Sequence, residues 1–214
     1  MTAPHRGSPQ HAGDAALDDR FTPSAAEVRQ LETFFPLLAQ LSDPWLRERT
    51  AGVWAYALRQ STWVGLDSVP FLKNLADWRL VDHVNAVAAT CLATARTLQA
   101  TLGLELDLDR LLAAALLHDC AKLVETRMGA DGLERTEFGL AAHHATIGAQ
   151  WALEAGLHPL VAQAVFVHSP VVNAAAASYE AMLVRDLDTL VTEAQSWASA
   201  GRLTAPNRPP GPAA

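Results

Sequence analysis

The chain has 214 residues, of which 50% are hydrophobic and 18% charged, a composition typical of one globular domain with a full core. Its formal net charge of −7 argues against non-specific binding to nucleic acid. No apolar run reaches the roughly 18 residues that a membrane span needs, which excludes an integral membrane protein. Two isolated cysteines, and an N-terminus without a signal-peptide pattern, predict a cytoplasmic protein.

Alanine and leucine dominate the middle of the chain, where apolar residues recur at the three- and four-residue spacing of helices. We therefore predict an all-α fold, in which residues 23–200 form a single helical domain between disordered tails at 1–22 and 201–214. Strand patterns bounded by turns are absent. A turn at Gly129–Gly132 joins the fourth and fifth helices. The predicted helices cover about residues 25–41, 43–58, 81–102, 107–122, 137–155, 158–169 and 174–200.

The His118-Asp119 pair stands directly after seven apolar residues, 111–117, which predict a helix that is buried on all sides. Ionisable side chains in such a place are rarely buried unless they are paired or bind a metal. Taken alone, the pair is explained somewhat better by a histidine that caps the helix beside a solvated aspartate. Its meaning therefore depends on the other polar residues of the apolar helices.

Further polar residues interrupt the apolar stretches. His83 begins the third predicted helix, where, taken alone, a hydrogen-bonded core histidine explains it better than a metal ligand. His168 ends the sixth, where the helix dipole alone explains it equally well. His144 opens a segment whose small residues allow close helix packing. Asp186 and Asp188 lie two residues apart on one helix, so we expect one to point inward and the other outward.

The joint pattern is more informative than any single residue. Intervals of 20 to 35 residues, each about one helix and a connection, separate His83, His118-Asp119, His144, His168 and Asp188. Each helix then contributes one or two ligands to a common centre, as in the metal sites of helix bundles. Mixed imidazole and carboxylate ligands suit ions such as Fe, Mn or Zn rather than Ca.

This pattern resembles that of the HD-domain metal-dependent phosphohydrolase superfamily, which is named for its His … His-Asp … Asp residues. The matching residues are His83, His118, Asp119 and Asp188, and the similarity extends over about residues 78–190. The segments LLHDCAKLVE, HHATIGAQWA, VFVHSP and VRDLDTL are each similar to a segment of the family. The resemblance implies a helical bundle, which is preceded here by extra N-terminal helices.

The resemblance also implies a set of metal ligands and two divalent ions. Fe and Mn are the expected metals, and Zn, Co, Ni or Mg remain open. Asp119 would bridge the two ions. The first ion would be held by His83, His118, Asp119 and Asp188, and the second by Asp119, His144 and His168.

Two cations stand one helical turn from predicted ligands, Lys122 beyond His118 and Arg79 before His83. Each would either bind a substrate phosphate or remain in solvent at a helix end. The implied function is hydrolysis of a phosphate ester or anhydride of a small molecule, in the first instance a nucleotide, by a metal-activated hydroxide. Asp119 and Lys122 would have catalytic roles.

The sequence departs from several branches of the family. It lacks the Gly-Tyr-Pro signature of members that degrade cyclic-di-GMP, and it has Asp82-His83-Val84 where the deoxynucleotidase branch has Glu-His-Ser. The His-His doublet of some dinuclear members is His168-Ser169 here. The fold therefore does not define the substrate. Two alternatives remain, a di-iron oxygenase on the same fold and a non-catalytic domain that senses a nucleotide.

Overall fold

The computed structural model describes residues 19–202, and the prediction of a mostly helical fold is confirmed, with one added β-hairpin. No helix within residues 19–202 is both long and apolar enough to cross a lipid bilayer. Short 3₁₀ turns occur at Asp19–Phe21, Pro36–Gln40, Leu66–Ser68 and Lys73–Leu75. The helices and strands are α1 (Ala25–Phe34), α2 (Pro44–Gln60), α3 (Leu80–Leu102), α4 (Leu108–Leu117), α5 (Lys122–Glu125), β1 (Thr126–Gly129), β2 (Gly132–Arg135), α6 (Glu137–Ala141), α7 (His144–Glu154), α8 (Pro159–Val167) and α9 (Tyr179–Ser199).

Helix α4 is the centre of the hydrophobic core. Every residue from Leu111 to Leu117 is buried, as the uninterrupted apolar run predicts. Helices α2, α3, α8 and α9 all pack against it. Because α4 is surrounded in this way, its C-terminal end is a rigid point in the fold, and His118 and Asp119 leave the helix at that point.

The N-terminal helices add a layer to this core. Trp54 of α2 is fully buried, and its indole N–H donates to the carbonyl oxygen of Leu116 at 2.8 Å. Phe21 is also fully buried, and a Cβ on Gly52 would lie only 1.9 Å from its backbone oxygen, so only glycine fits there. The packed part of the chain thus begins before residue 23. The rest of the predicted tails, residues 1–18 and 203–214, lies outside the described residues.

Several predicted helices are interrupted or shortened by local chemistry. The first ends before Pro36, which lacks an amide N–H. The fourth ends at Leu117, and a turn separates it from α5. Residues 137–155 form α6 and α7 rather than one helix, because His143 caps the start of α7 with its side chain. The last helix begins at Tyr179 rather than near residue 174, directly after its cap.

A β-hairpin connects α5 to α6, where the sequence predicted only a turn. Its strands are antiparallel, with Thr126 opposite Arg135 and Gly129 opposite Gly132. Each strand has only four residues, and burial does not alternate along either strand, so the pattern by which strands are recognised is missing. The turn requires glycine at position 132, where φ is +97°. The hairpin returns the chain to the end of α5, so that Arg135 lies close to it.

Candidate metal centre

Six buried side chains meet where the ends of α4 and α8 approach the starts of α3 and α7 and the middle of α9. The helices that carry them are fixed by core packing, so the positions of the side chains follow from the apolar pattern. These are the six residues predicted as metal ligands, namely His83, His118, Asp119, His144, His168 and Asp188.

Two of the histidines are held by their own helices. His118 follows the last residue of α4, and its Nδ1 bonds to the carbonyl oxygen of Ala115 at 2.7 Å. His168 follows the last residue of α8 in the same way, and its Nδ1 bonds to the carbonyl oxygen of Val165 at 2.6 Å. A carbonyl oxygen can only accept, so each Nδ1 is the donor, and the tautomer with its proton on Nδ1 keeps a lone pair on Nε2.

The other two histidines are held by side chains from distant segments. The Nδ1 atom of His83 bonds to the amide oxygen of Gln195 at 2.9 Å. The Nδ1 atom of His144 bonds to a carboxylate oxygen of Glu125 at 2.7 Å. All four rings are therefore oriented through Nδ1, which leaves Nε2 directed at the centre, as is usual for a histidine that binds a metal.

The Nε2 atoms face each other in two pairs. Nε2 of His83 lies 3.2 Å from Nε2 of His118, and Nε2 of His144 lies 3.3 Å from Nε2 of His168. Rings that carry their only proton on Nδ1 cannot donate to each other through Nε2, whereas a cation between two such rings can be bound by both lone pairs. We call His83, His118 and Asp188 the first half-site, and His144 and His168 the second half-site.

Asp119 lies between the two half-sites and turns one oxygen toward each. Oδ2 is 3.5 Å from Nε2 of both His83 and His118, while Oδ1 is 3.2 Å from Nε2 of His144 and 3.5 Å from Nε2 of His168. Among the described residues no hydrogen bond of good geometry reaches the buried Oδ2, although the Lys122 ammonium lies 2.8 Å away. A buried carboxylate oxygen that lies between imidazole nitrogens and accepts no hydrogen bond of good geometry fits a metal ligand.

Asp188 completes the first half-site. Its Oδ1 lies 3.0 Å from Nε2 of His83 and 3.8 Å from Nε2 of His118. Asp186 is exposed instead and pairs with the neighbouring Arg185 at 2.8 Å. One aspartate thus points inward and the other outward, as their spacing on the helix requires. The geometry favours Asp188 as the ligand of the pair.

The protonation states of the centre suit a cation. Burial lowers the pKa of His118 to about 4, so its ring is neutral. Burial opposes ionisation of Asp119, but Lys122 and His118 hold the pKa of that carboxyl well below its usual value. Burial would also lower the pKa of His144, yet its hydrogen bonds to Asp119 and Glu125 raise it. The second half-site therefore attracts positive charge, and the ionised Asp119 is ready to bind a metal.

Lys122 is buried in the centre rather than solvated at a helix end. Its ammonium lies 2.8 Å from Oδ2 of Asp119 and 4.1 Å from the centre of the Phe71 ring. Phe71 in turn stacks on His83, with ring centroids 3.6 Å apart and 15° between the planes. The loop before α3 thus contributes an aromatic ring that contacts both a candidate ligand and the buried cation.

Arg79 is placed differently from Lys122. Its guanidinium donates to both carboxylate oxygens of Asp82, at 2.6 and 2.7 Å, and about half of its side chain is exposed. Within residues 19–202 its hydrogen bonds lead to this surface aspartate and not to the six buried side chains. Phosphate binding by Arg79 stays a prediction.

The sequence reasoning missed the three side chains that support the histidine rings, Phe71, Glu125 and Gln195. Helical spacing could have found Gln195, which lies two turns after Asp188 and therefore on the same face of α9. A buried carboxylate could have been suspected at Glu125, which follows the apolar Leu123 and Val124. Phe71 comes from a loop, and no periodicity indicates which ring its side chain contacts.

Comparison with known proteins identifies the family. No curated protein and no solved structure matches the chain significantly. The profile of the HD domain family matches residues 80–193, which is more than half of the chain. The matched range runs from the start of α3 into α9 and includes all six buried residues of the centre. The chain therefore belongs to the HD domain family.

Proposed function

We propose that the protein is a metal-dependent phosphohydrolase that cleaves a phosphate ester or anhydride of a small molecule, with nucleotides as the first substrate class to test. HD domains are typical of metal-dependent phosphohydrolases. The observation that carries the proposal is Asp119, whose two oxygens face two separate pairs of histidine Nε2 atoms. One carboxylate shared by two sets of donors is suited to hold two ions close together.

The two half-sites offer imidazole and carboxylate donors only. The first ion would be held by the first half-site with Oδ2 of Asp119, and the second ion by the second half-site with Oδ1. Such donors suit Fe or Mn, and they also accept Zn, Co, Ni or Mg. When bound, two ions of this kind lower the pKa of water toward neutrality and stabilise negative charge on phosphoryl oxygens.

Partial exposure of three side chains supports one direction of approach for the phosphate. Asp188, Lys122 and His144 keep 12%, 11% and 9% of their side-chain surface exposed, whereas His83 and His118 keep none. Lys122 is the cation among these three partly exposed side chains. We assign to its ammonium a hydrogen bond to a phosphate oxygen, which stabilises the charge that develops as the P–O bond breaks.

The remaining features of the chain agree with a small phosphorylated substrate in the cytoplasm. Cys91 and Cys120 are free and buried, which supports a reducing compartment. The net charge of −7 disfavours a non-specific nucleic-acid substrate.

Metal content and phosphate release together test the proposal. Protein purified without chelator or metal-affinity resin should contain about two ions per chain by elemental analysis. It should also release phosphate from at least one member of a panel of nucleotides and simple phosphate esters. Asp119→Ala should lose both ions and the activity, because each half-site loses a donor. Asp186→Ala removes an exposed carboxylate from α9 and should keep both ions and the activity.

The other outcomes separate the alternatives. Oxygen uptake without phosphate release would replace the hydrolase by the di-iron oxygenase. Nucleotide binding by a metal-free protein without turnover would favour the sensing domain. Phosphate release that persists in metal-free Asp119→Ala would contradict the proposed centre.

A further inference from the structure

We propose that Glu125 is the positioning residue of the second half-site, a buried carboxylate that orients His144 and strengthens its bond to a metal ion. The inference rests on the proposed function, because it requires an ion in the second half-site. Glu125 is not among the six predicted ligands. It acts on the centre through His144, whose Nδ1 lies 2.7 Å from its Oε2.

The support of His144 differs in kind from that of the other histidines. The acceptors at Nδ1 of His118 and His168 are backbone carbonyls, and that of His83 is an amide oxygen. Only Glu125, among these four acceptors, carries a charge. A hydrogen bond to an ionised acceptor is about twice as strong as a neutral one. It also makes the opposite ring nitrogen a stronger ligand.

The need for such support follows from the donor sets. The first half-site has two histidines and Asp188 in addition to the shared Asp119, whereas the second has two histidines and Asp119 alone. The second half-site therefore has one carboxylate fewer. A charged acceptor at Nδ1 of His144 compensates for part of this difference, because it increases the electron density at Nε2, the nitrogen that faces the second half-site.

The backbone of Glu125 is itself held in place. Its carbonyl oxygen accepts the amide N–H of Thr136 at 3.0 Å. The backbone at Gly139 approaches so closely that a Cβ there would lie 2.2 Å from the same oxygen. The buried Oε1 accepts no hydrogen bond among the described residues, and the Arg135 guanidinium lies 3.5 Å away. The carboxylate that orients the His144 ring is thus attached to a backbone segment whose position is fixed by packing.

Glu125, His143 and His144 also lie close enough together to suggest a cation site of their own. Their hydrogen bonds argue against it. The Nδ1 atom of His143 accepts the amide N–H of Ala145 at 3.2 Å, and Nδ1 of His144 is bound to Glu125. Both nitrogens therefore have partners, and the role of Glu125 is to support the second half-site.

Titration of the metal-free protein with Mn²⁺, with ions counted by elemental analysis after dialysis, tests this role. Glu125→Ala should bind the first ion as the wild type does, and the second ion about 10- to 100-fold more weakly. Glu125→Gln keeps a neutral acceptor and should fall between the two. Glu134→Gln is the matched control, because it removes the same charge from an exposed hairpin residue that pairs with Arg127. It should bind both ions normally.

A double variant separates positioning from a general effect on the fold. If Glu125 acts through His144, adding Glu125→Ala to His144→Ala should not weaken the second ion further. Unchanged binding of two ions by both Glu125→Ala and Glu125→Gln would overturn this inference and leave the proposed function intact. A wild type that takes up no second ion would overturn both. Circular dichroism identifies a variant that fails to fold, and if Glu125→Ala fails, the isosteric Glu125→Gln titration decides.

Discussion

The two half-sites are similar in their histidines and differ in what holds them. The first stands on α3, α4 and α9, which have 23, 10 and 21 residues and pack against one another. The second stands on α7 and α8, with 11 and 9 residues, and depends on Glu125 at the end of a four-residue helix. Each half-site thus has one histidine held by its own helix and one held by another side chain. In the first half-site that side chain is Gln195 of the long helix α9, whereas in the second it is Glu125 of the four-residue helix α5.

The difference extends to charge. Asp188 gives the first half-site a carboxylate of its own, while the second shares Asp119 and receives negative charge from Glu125 only through His144. We therefore expect the first half-site to bind its ion more tightly. This difference in affinity can be tested first by removing a donor and then by progressively milder changes.

Among the changes that act on one half-site, Asp188→Ala should have the largest effect, because it removes the carboxylate that distinguishes the first half-site. The first ion should bind at least about 100-fold more weakly. This loss exceeds the range that is typical when a residue that only hydrogen-bonds to a metal ligand is removed. Phosphate release should fall in parallel. Elemental analysis and a phosphate assay measure both. Asp186→Ala is the matched control from the same helix, and its stability should change by no more than about 0.5 kcal/mol. The opposite result, with the ion lost from Asp186→Ala, would mean that the two aspartates are assigned in the wrong order.

Removal of the metal should show, in the wild-type chain, that the two half-sites bind their ions with different affinities. An ion present at about 100 times its Kd stabilises the folded state by about 2.7 kcal/mol, because it binds only that state. For a chain of this size that corresponds to a fall in Tm of about 5–10 °C when the ion is removed. A graded titration with chelator, followed by thermal melts, should show two steps, the second half-site emptying first. A single step in which both ions leave together would show that the half-sites are equal.

The same contrast explains how far the sequence could predict the centre. The ligands on helices were predictable because apolar periodicity fixes both the helices and the polar residues that interrupt them, as at His118 and Asp188. Their supports were not, because the side chain that reaches a ring depends on packing between distant segments. Phe71 reaches His83 from a loop, and Glu125 is fixed by a backbone contact at Gly139. The hairpin between Glu125 and Gly139 has four-residue strands along which burial does not alternate, so the sequence did not indicate it.

Arg79 and Lys122 show that the same limit of prediction from sequence applies to cationic side chains. Both lie one helical turn from a histidine, and the spacing treats them alike. In the folded chain, Asp82 binds Arg79 at the surface, while Phe71 and Asp119 enclose Lys122. Sequence spacing gives the direction of a side chain on its helix, but tertiary packing decides which group it forms an ion pair with.

Gly139→Ala should affect the second half-site without changing any group of the centre. The new Cβ would meet the carbonyl oxygen of Glu125, so the backbone must move and Glu125 must shift with it. Such overpacking destabilises a fold by about 1–3 kcal/mol. The second ion should bind more weakly and the first should not, which makes the first ion an internal control in the same Mn²⁺ titration. Equal weakening of both ions would indicate a general disturbance of the fold.

The mildest change is Arg135→Ala, and Arg79→Ala is its counterpart beside the first half-site. Both arginines are about half exposed and pair with a carboxylate, so each pair contributes at most about 1 kcal/mol to stability. The carboxylate beside Arg135 supports His144, whereas Asp82 supports no histidine. Arg135→Ala should therefore weaken the second ion a few-fold, and Arg79→Ala should leave both ions bound as in the wild type. Measurement of KM tests whether Arg79 binds the substrate phosphate. An increase in KM that is confined to Arg79→Ala, with metal content unchanged, would show that Arg79 releases Asp82 and binds the substrate. Binding of both ions as in the wild type by both variants would instead mean that Arg135 does not contribute to the support of His144.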